Sequence, residues 1–223
     1  MTTITPAALM AAGAQYGYSR SRRHPTVTPF IYGNKDGVDI IDSEKVIAQI
    51  EAAEKFLGEL SASGKVVLFV GTKPEARKQV EDIATLLHQP FVTERWIGGA
   101  LTNFPEIKKR IARLEELKEK RASGELAKYT KKEQLLLDRE MNRLSVYFSG
   151  LVGMTKMPDA VLVVDSKKEH IAVKEARKMN IPVIAIGNTD CSLRAITYPI
   201  VANDGSVSSI ATILGILKDS FKS

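Results

Sequence analysis

Residues 65–77 read KVVLFVGTKPEAR, and this stretch decides the fold. The run from Val66 to Val70 is apolar and rich in β-branched residues, too short for a helix, and lacks the alternation of a half-exposed strand. That pattern belongs to a strand buried on both faces, as in a parallel sheet covered by helices. Pro74 follows at the first helical position, where its missing N–H costs nothing, and the spacing predicts a helix to about Leu87. Strand, turn and helix in thirteen residues are the unit of an α/β domain.

Working outward, the same grammar repeats. FVTERW (91–96) predicts a second strand, DAVLVVD (159–165) a third, IPVIAIG (181–187) a fourth and YPIVAN (198–203) a fifth. Helices are expected over KEHIAVKEARKMN (168–180) and SVSSIATILGILKDSF (206–221), and over PAALMAAGA (6–14) near the start. Another begins at Ser43, read as its N-cap, with Val46, Ile47, Ile50, Ala53 and Leu57 on one face. PFIYG (29–33) and VDIID (38–42) read as extended. Strands alternating with helices predict a five-stranded parallel sheet with helices on both faces.

One segment does not fit a simple crossover, which needs a single helix. Between the second and third predicted strands, Pro105 to Phe148 reads as two charged helices separated by ASGELAKYT (122–130). Ile107, Ile111, Leu114 and Leu117 form an apolar stripe on one, and Leu137, Met141, Leu144 and Phe148 on the other. Stripes of that spacing zip two helices into a coiled-coil hairpin. The expected organisation is an α/β body over 1–104 and 149–223, with a basic amino-terminal extension, and a hairpin over 105–148 inserted in it.

Charge indicates the partner. The net charge is +6 and the isoelectric point is near 9.3. Met1–Lys35 holds four Lys or Arg and no acid; Pro105–Arg143 holds twelve against eight; the remainder holds sixteen against eighteen. The positive charge therefore lies on the amino-terminal segment and the arm, which suits a polyanion. Arg20, Arg22, Arg23 and His24 form the densest cluster, with Tyr16, Tyr18 and Tyr32 nearby as stacking faces. Aromatic side chains so close to glycines could equally anchor the segment to the body. Lys35, Lys73, Arg77 and Arg95 are further phosphate candidates, with Lys108, Lys109, Lys131 and Lys132 on the arm. In RWIGGALTNF (95–104), Trp96 either packs under the arm or joins Arg95 at a phosphate that Gly98 and Gly99 let approach.

Catalytic readings find little support. Gly71 alone follows the first strand, so neither dinucleotide nor P-loop glycine spacing is met. Asp165 and Asp190 stand at adjacent strand ends, where they could hold magnesium or cap the following helices, and capping is the commoner use. The single cysteine, Cys191, excludes an internal disulfide, and His24, His88 and His170 offer it no triad. No run approaches the length of a membrane span. A cytoplasmic protein with no cofactor, no metal and no small-molecule substrate is expected. A nucleotide-binding α/β enzyme and a coiled-coil adaptor are the rival readings.

PFIYG with VDIIDSEK, then LFVGTK, RWIGGALTNF, TKKE (130–133), MPDAVLVVD, EHIAVKEA, IPVIAI and the Asn203-Asp204 pair occur in an order and spacing that closely resemble the family of protein two of the bacterial small ribosomal subunit. The resemblance implies a flavodoxin-like three-layer α/β/α domain with a coiled-coil hairpin. It further implies a structural, non-catalytic protein that binds small-subunit ribosomal RNA near the junction of head and body. Neighbouring ribosomal proteins are implied partners, the large messenger-binding protein one among them. Two departures stand out. The family's Gly-x-His-Phe-Gly-His opening reads Gly13-Ala14-Gln15-Tyr16-Gly17-Tyr18 here, without either histidine. The loop 188–193 also exchanges the usual order of Asp and Asn and lacks an Asp-Pro.

Overall fold

Alternate residues of the central strands enter two different cores. In the computed structural model, which describes residues 5–222, strand β4 (Val67–Val70) sends Val67 and Phe69 to one side and Leu68 and Val70 to the other. Strands β6 (Ala160–Val164) and β7 (Val183–Gly187) divide in the same way. With β5 (Phe91–Val92) and β8 (Tyr198–Val201) they form a parallel sheet of order β5-β4-β6-β7-β8. The register pairs Val67 with Ala160 and Val161 with Val183. Continuous burial of β4, β6 and β7 explains why none of them alternates in sequence.

Helices α2 (Ser43–Ala62), α3 (Pro74–Leu86) and α7 (Val207–Asp219) cover one face. Their buried rows include Val46, Ile50, Ala53 and Leu57 on α2 and Ile210, Ile213, Leu214 and Leu217 on α7. Helix α6 (His170–Lys178) lies on the other face together with Trp96 and the inner side of the arm. The three-layer α/β/α expectation holds. Ser43 is inside α2 rather than capping it. Asp42 is the N-cap, and its carboxylate accepts from the Glu44 N–H at 3.1 Å. The six-residue strand expected over 91–96 shrinks to Phe91–Val92, because the chain turns away to carry Trp96 into the core. The first helix, α1, is likewise short, Pro6–Ala11, capped by Thr5.

The arm comprises α4 (Phe104–Ala122) and α5 (Lys131–Phe148), joined by a 3-10 turn at Glu125–Lys128. Thr130 and Glu133 form a reciprocal capping box at the start of α5. Of the expected stripes, Ile107, Ile111, Leu114 and Leu117 are buried, as are Met141, Leu144 and Phe148, whereas Leu137 is half-buried. Arg113 on α4 reaches Glu140 on α5 at 3.2 Å, and Arg121 reaches Asp138 at 3.6 Å, so α5 returns along α4.

A second sheet was not anticipated. Strands β1 (Tyr16–Ser19), β2 (Ile31–Lys35) and β3 (Val38–Ile41) form an antiparallel sheet of order β1-β3-β2. Asp36 and Gly37 both take positive φ, 53° and 81°, as a two-residue hairpin turn requires. This sheet leads the amino-terminal segment across the carboxyl edge of the parallel one, where Tyr18 N–H donates to Thr189 Oγ1 at 2.9 Å. Gly17 makes that approach possible: a Cβ there would sit 2.5 Å from Thr189 Cγ2 and 2.9 Å from the Asp39 carbonyl oxygen.

Candidate nucleic-acid interface

The sequence-predicted cations fall into two groups, those held by an internal acid and those facing solvent. Arg23 belongs to the first. Its Nε donates to Asp39 Oδ2 at 2.6 Å, and a second guanidinium nitrogen donates to Oδ1. Asp39 is fully buried and also accepts from Asn34 Nδ2 at 3.1 Å. The Arg23 hydrogen bonds hold its carboxyl below the usual carboxylate range. Arg22 stacks over the Tyr18 ring, 4.0 Å from its centroid, and donates to Asp190 Oδ2 at 3.1 Å. Lys167 meets the same oxygen at 2.8 Å.

Lys73 sits deeper. Its Nζ lies 3.1 Å from Asp204 Oδ1 and 3.3 Å from Asp165 Oδ2, and the Tyr18 hydroxyl donates to Asp204 Oδ1 at 3.3 Å. Burial works against the Lys73 charge, yet Asp204 and Asp165 outweigh it and raise its pKa. Asp204 is raised as well, first by burial and then by repulsion from Asp165. The two directions agree once one ammonium is seen to serve two carboxylates. Asp165, Asp204 and the Cys191 thiol lie within 4.8 Å of one another, but the cation against both acids is Lys73 itself. Asp165 also caps the following turn, accepting from the Lys168 N–H at 3.0 Å. Burial pushes the Cys191 thiol up to about 11, which makes it an inert core group.

Arg77 pairs with Glu94 at 3.0 Å, and its Nε donates to the Thr72 carbonyl. His24 Nδ1 accepts from the Thr26 N–H at 3.3 Å, and the His24 backbone N–H donates to the Thr189 carbonyl. On the arm, Lys109 pairs with Glu106 at 2.6 Å and Lys108 lies over the Phe104 ring. Arg20, Lys35, Arg95, Lys131 and Lys132 are exposed, with no acid of the described residues at ion-pair distance. The structure brings two of these together. Ser19 and Lys35 both pair with Val38 across the small sheet, and the Arg20 N–H donates to the Gly37 carbonyl, so Arg20 and Lys35 share one end of it. Tyr32, on β2, is 82% exposed, and Tyr16 is half exposed. Tyr18 is instead turned inward.

Trp96 is only 7% exposed and packs in the core under the arm, while Arg95 beside it stays outside. The loop is fixed by Glu175 of α6, which sequence reasoning missed. Glu175 Oε1 accepts from Trp96 Nε1 at 3.2 Å and the Gly99 N–H at 2.8 Å. Its Oε2 accepts from the Leu101 and Thr102 N–H groups at 3.0 and 3.2 Å and from the Thr102 hydroxyl at 3.3 Å. Burial pushes this carboxyl up, but the donors from Gly99, Leu101, Trp96 and Thr102 prevail and leave it below its ordinary value. Gly99 adopts φ 91°, a conformation open to glycine. A signal existed: Glu175 stands between Ala172 and Ala176 on the apolar side of α6. Asp39 was similarly legible, since it shares the inward parity of Ile41 on β3.

Comparison with known proteins gives these features a context. A family described as ribosomal protein S2 matches residues 9–223. The small ribosomal subunit protein uS2 of Nocardia farcinica is 42% identical over 217 residues, covering 97% of this chain and 76% of the relative. That of Acidothermus cellulolyticus is 41% identical over 220 residues, covering 98% and 80%. That of Coprothermobacter proteolyticus is 41% identical over 219 residues, covering 98% and 82%.

Proposed function

The chain belongs to the ribosomal protein S2 family, and on that premise we propose that it grips small-subunit ribosomal RNA chiefly through the free cations of its small antiparallel sheet. It is a structural constituent of the small ribosomal subunit and not an enzyme. The observation that carries the RNA reading is local. Arg20 and Lys35 are exposed at one end of the sheet, with no described acid at ion-pair distance, and Tyr32 is 82% exposed on the same strand as Lys35. Two charges with a stacking ring nearby match irregular RNA. Arg95 and Lys131 extend the contact along the loop and the arm tip.

Arg22, Arg23, Lys73 and Arg77 act differently in this reading. The ion pairs of Arg22, Arg23 and Lys73 hold the segment's shape, so that the free cations arrive in register, while Arg77 ties α3 to Glu94. The arm over 105–148 serves as a coiled-coil insertion in the body formed by 1–104 and 149–223, and sets the protein's position near the junction of head and body. The slightly acidic remainder of the body is left for neighbouring ribosomal proteins, protein one among them where an organism has it. Its place is the ribosome in the cytoplasm, and among the described residues no helix is long and apolar enough to cross a membrane.

The test is Arg20→Glu with Lys35→Glu in small-subunit reconstitution, because both side chains are exposed and neither is in an ion pair with a described residue. Incorporation should fall, and the logarithmic salt dependence of RNA binding should lose about one unit of slope per phosphate contact removed. Normal sedimentation into subunits with an unchanged slope refutes the proposed contact.

A further inference from the structure

The two helices of the arm differ in what they leave exposed. On α4, Glu106 pairs with Lys109 at 2.6 Å, and Glu116 meets both Arg113 at 2.9 Å and Lys120 at 2.5 Å; Lys108, Arg110 and Lys118 are exposed, but no large apolar side chain is. On α5, the positions opposite the buried stripe of Met141, Leu144 and Phe148 form two adjacent rows. Lys132, Leu136, Arg139 and Arg143 make one, at i, i+4, i+7 and i+11. Leu135, Arg139, Asn142 and Val146 make the other. No acid stands in either row. Leu135, Leu136 and Val146 are 51%, 54% and 52% exposed, although each could have been polar at no cost to the hairpin. No described acid lies at ion-pair distance from Lys132, Arg139 or Arg143.

We propose that this outer face of α5 docks an acidic amphipathic helix of a neighbouring protein. Three cations and three aliphatic side chains interleave along the fifteen residues 132–146, roughly 21 Å of helix. Phosphates would use the cations but gain nothing from exposed leucine and valine, since bases stack on aromatic or guanidinium planes. A helix laid along this face would use both. Its apolar residues at three- and four-residue spacing would cover Leu135, Leu136 and Val146. Its carboxylates would meet Lys132, Arg139 and Arg143, and charge complementarity would set its register. The outer face of α4 exposes no large apolar side chain and so offers no such match. The proposal goes beyond the RNA grip of the small sheet, and either can fail without the other.

A photoreactive benzophenone side chain at Asn142, an exposed position on the rim of this face, tests it in purified small subunits carrying the full chain. The expected adduct is a peptide of another subunit protein with Asp or Glu and apolar residues at helical spacing. In Arg139→Glu with Arg143→Glu, the yield per incorporated chain should drop about tenfold. In Leu135→Ala with Leu136→Ala and Val146→Ala it should drop comparably. All five side chains are solvent-exposed, so the helicity of the isolated protein should be unchanged. Adducts to nucleotides, no adduct, or a yield indifferent to both sets of substitutions would overturn the proposal.

Discussion

Replacing Glu175 with Gln isolates the acceptor capacity of one carboxylate at constant shape. The two oxygens now serve five donors, four of them N–H groups of Trp96, Gly99, Leu101 and Thr102. A glutamine keeps one oxygen and turns an NH2 toward the other donor set. Whichever way it sits, at least two N–H groups are left facing a donor, in a region where Trp96 and Leu101 are 7% and 1% exposed. An unmet buried donor costs about 1–3 kcal/mol, so the substitution should destabilise by about 3 kcal/mol. In a domain of this size that corresponds to a fall in melting temperature of roughly 6–12 °C. Trp96 is the only tryptophan, so its fluorescence reports the loop directly, and far-ultraviolet circular dichroism reports the rest. The pH dependence supplies a second check. Glu175 has a folded pKa below its unfolded value, so its contribution is complete above the ordinary carboxylate range and is lost as pH falls through the folded value. The gap between wild type and Glu175→Gln should therefore be widest near neutrality and close on acidification. A glutamine variant within about 0.5 kcal/mol of wild type at pH 7 would refute the account, since that is the spread of neutral surface changes.

Two further outcomes follow from the same geometry. Arg23→Ala strips the fully buried Asp39 of its countercharge and should cost about 3 kcal/mol in urea unfolding, with much of the loss recovered when Asp39→Asn is added; simple additivity of the two changes would contradict a coupled pair. Cys191, with its thiol raised to about 11 and its side chain buried, should resist aromatic disulfide reagents at pH 8 until denaturant is added; labelling of the native protein at the rate of a free thiol would show the loop to be open.

The sequence was most legible where burial is two-sided. Val67–Val70, Ala160–Val164 and Val183–Gly187 announce themselves as apolar runs, and the stripes of α4 and α5 as three- and four-residue spacing. The small sheet was not read, although Asp36-Gly37 between PFIYG and VDIID is a hairpin signal, because its three strands are short and only partly buried. The candidate site was less legible still. Charge density singled out Arg22, Arg23 and Lys73 together with Arg20 and Lys35, but their different circumstances depend on acids far away in the chain. Arg22 meets Asp190 across 168 positions, and Lys73 meets Asp204 across 131. A count of lysines and arginines measures charge, whereas phosphate grip depends on charge left unpaired after folding.

That distinction also explains why a doubly wound sheet carries a binding role here rather than a nucleotide site. Ligands of such folds enter at the carboxyl edge of the strands, where helix amino termini offer N–H groups to phosphate. In this chain a carboxylate already occupies that position: Glu169 Oε1 accepts from the Thr72 N–H at 3.2 Å and from the Thr72 hydroxyl, at the threshold of α3. Asp165, Asp190 and Asp204 line the same edge, and the cations facing them, Lys73, Lys167 and Arg22, are engaged with those acids. A phosphate entering the crevice would have to displace a buried carboxylate and break the largely desolvated pairs of Lys73, leaving their acids without a partner at several kcal/mol each. At Arg20 and Lys35 no such exchange is needed. The fold thus places its acids inside, fixing the amino-terminal segment, and leaves Arg20 and Lys35 exposed with no described acid at ion-pair distance.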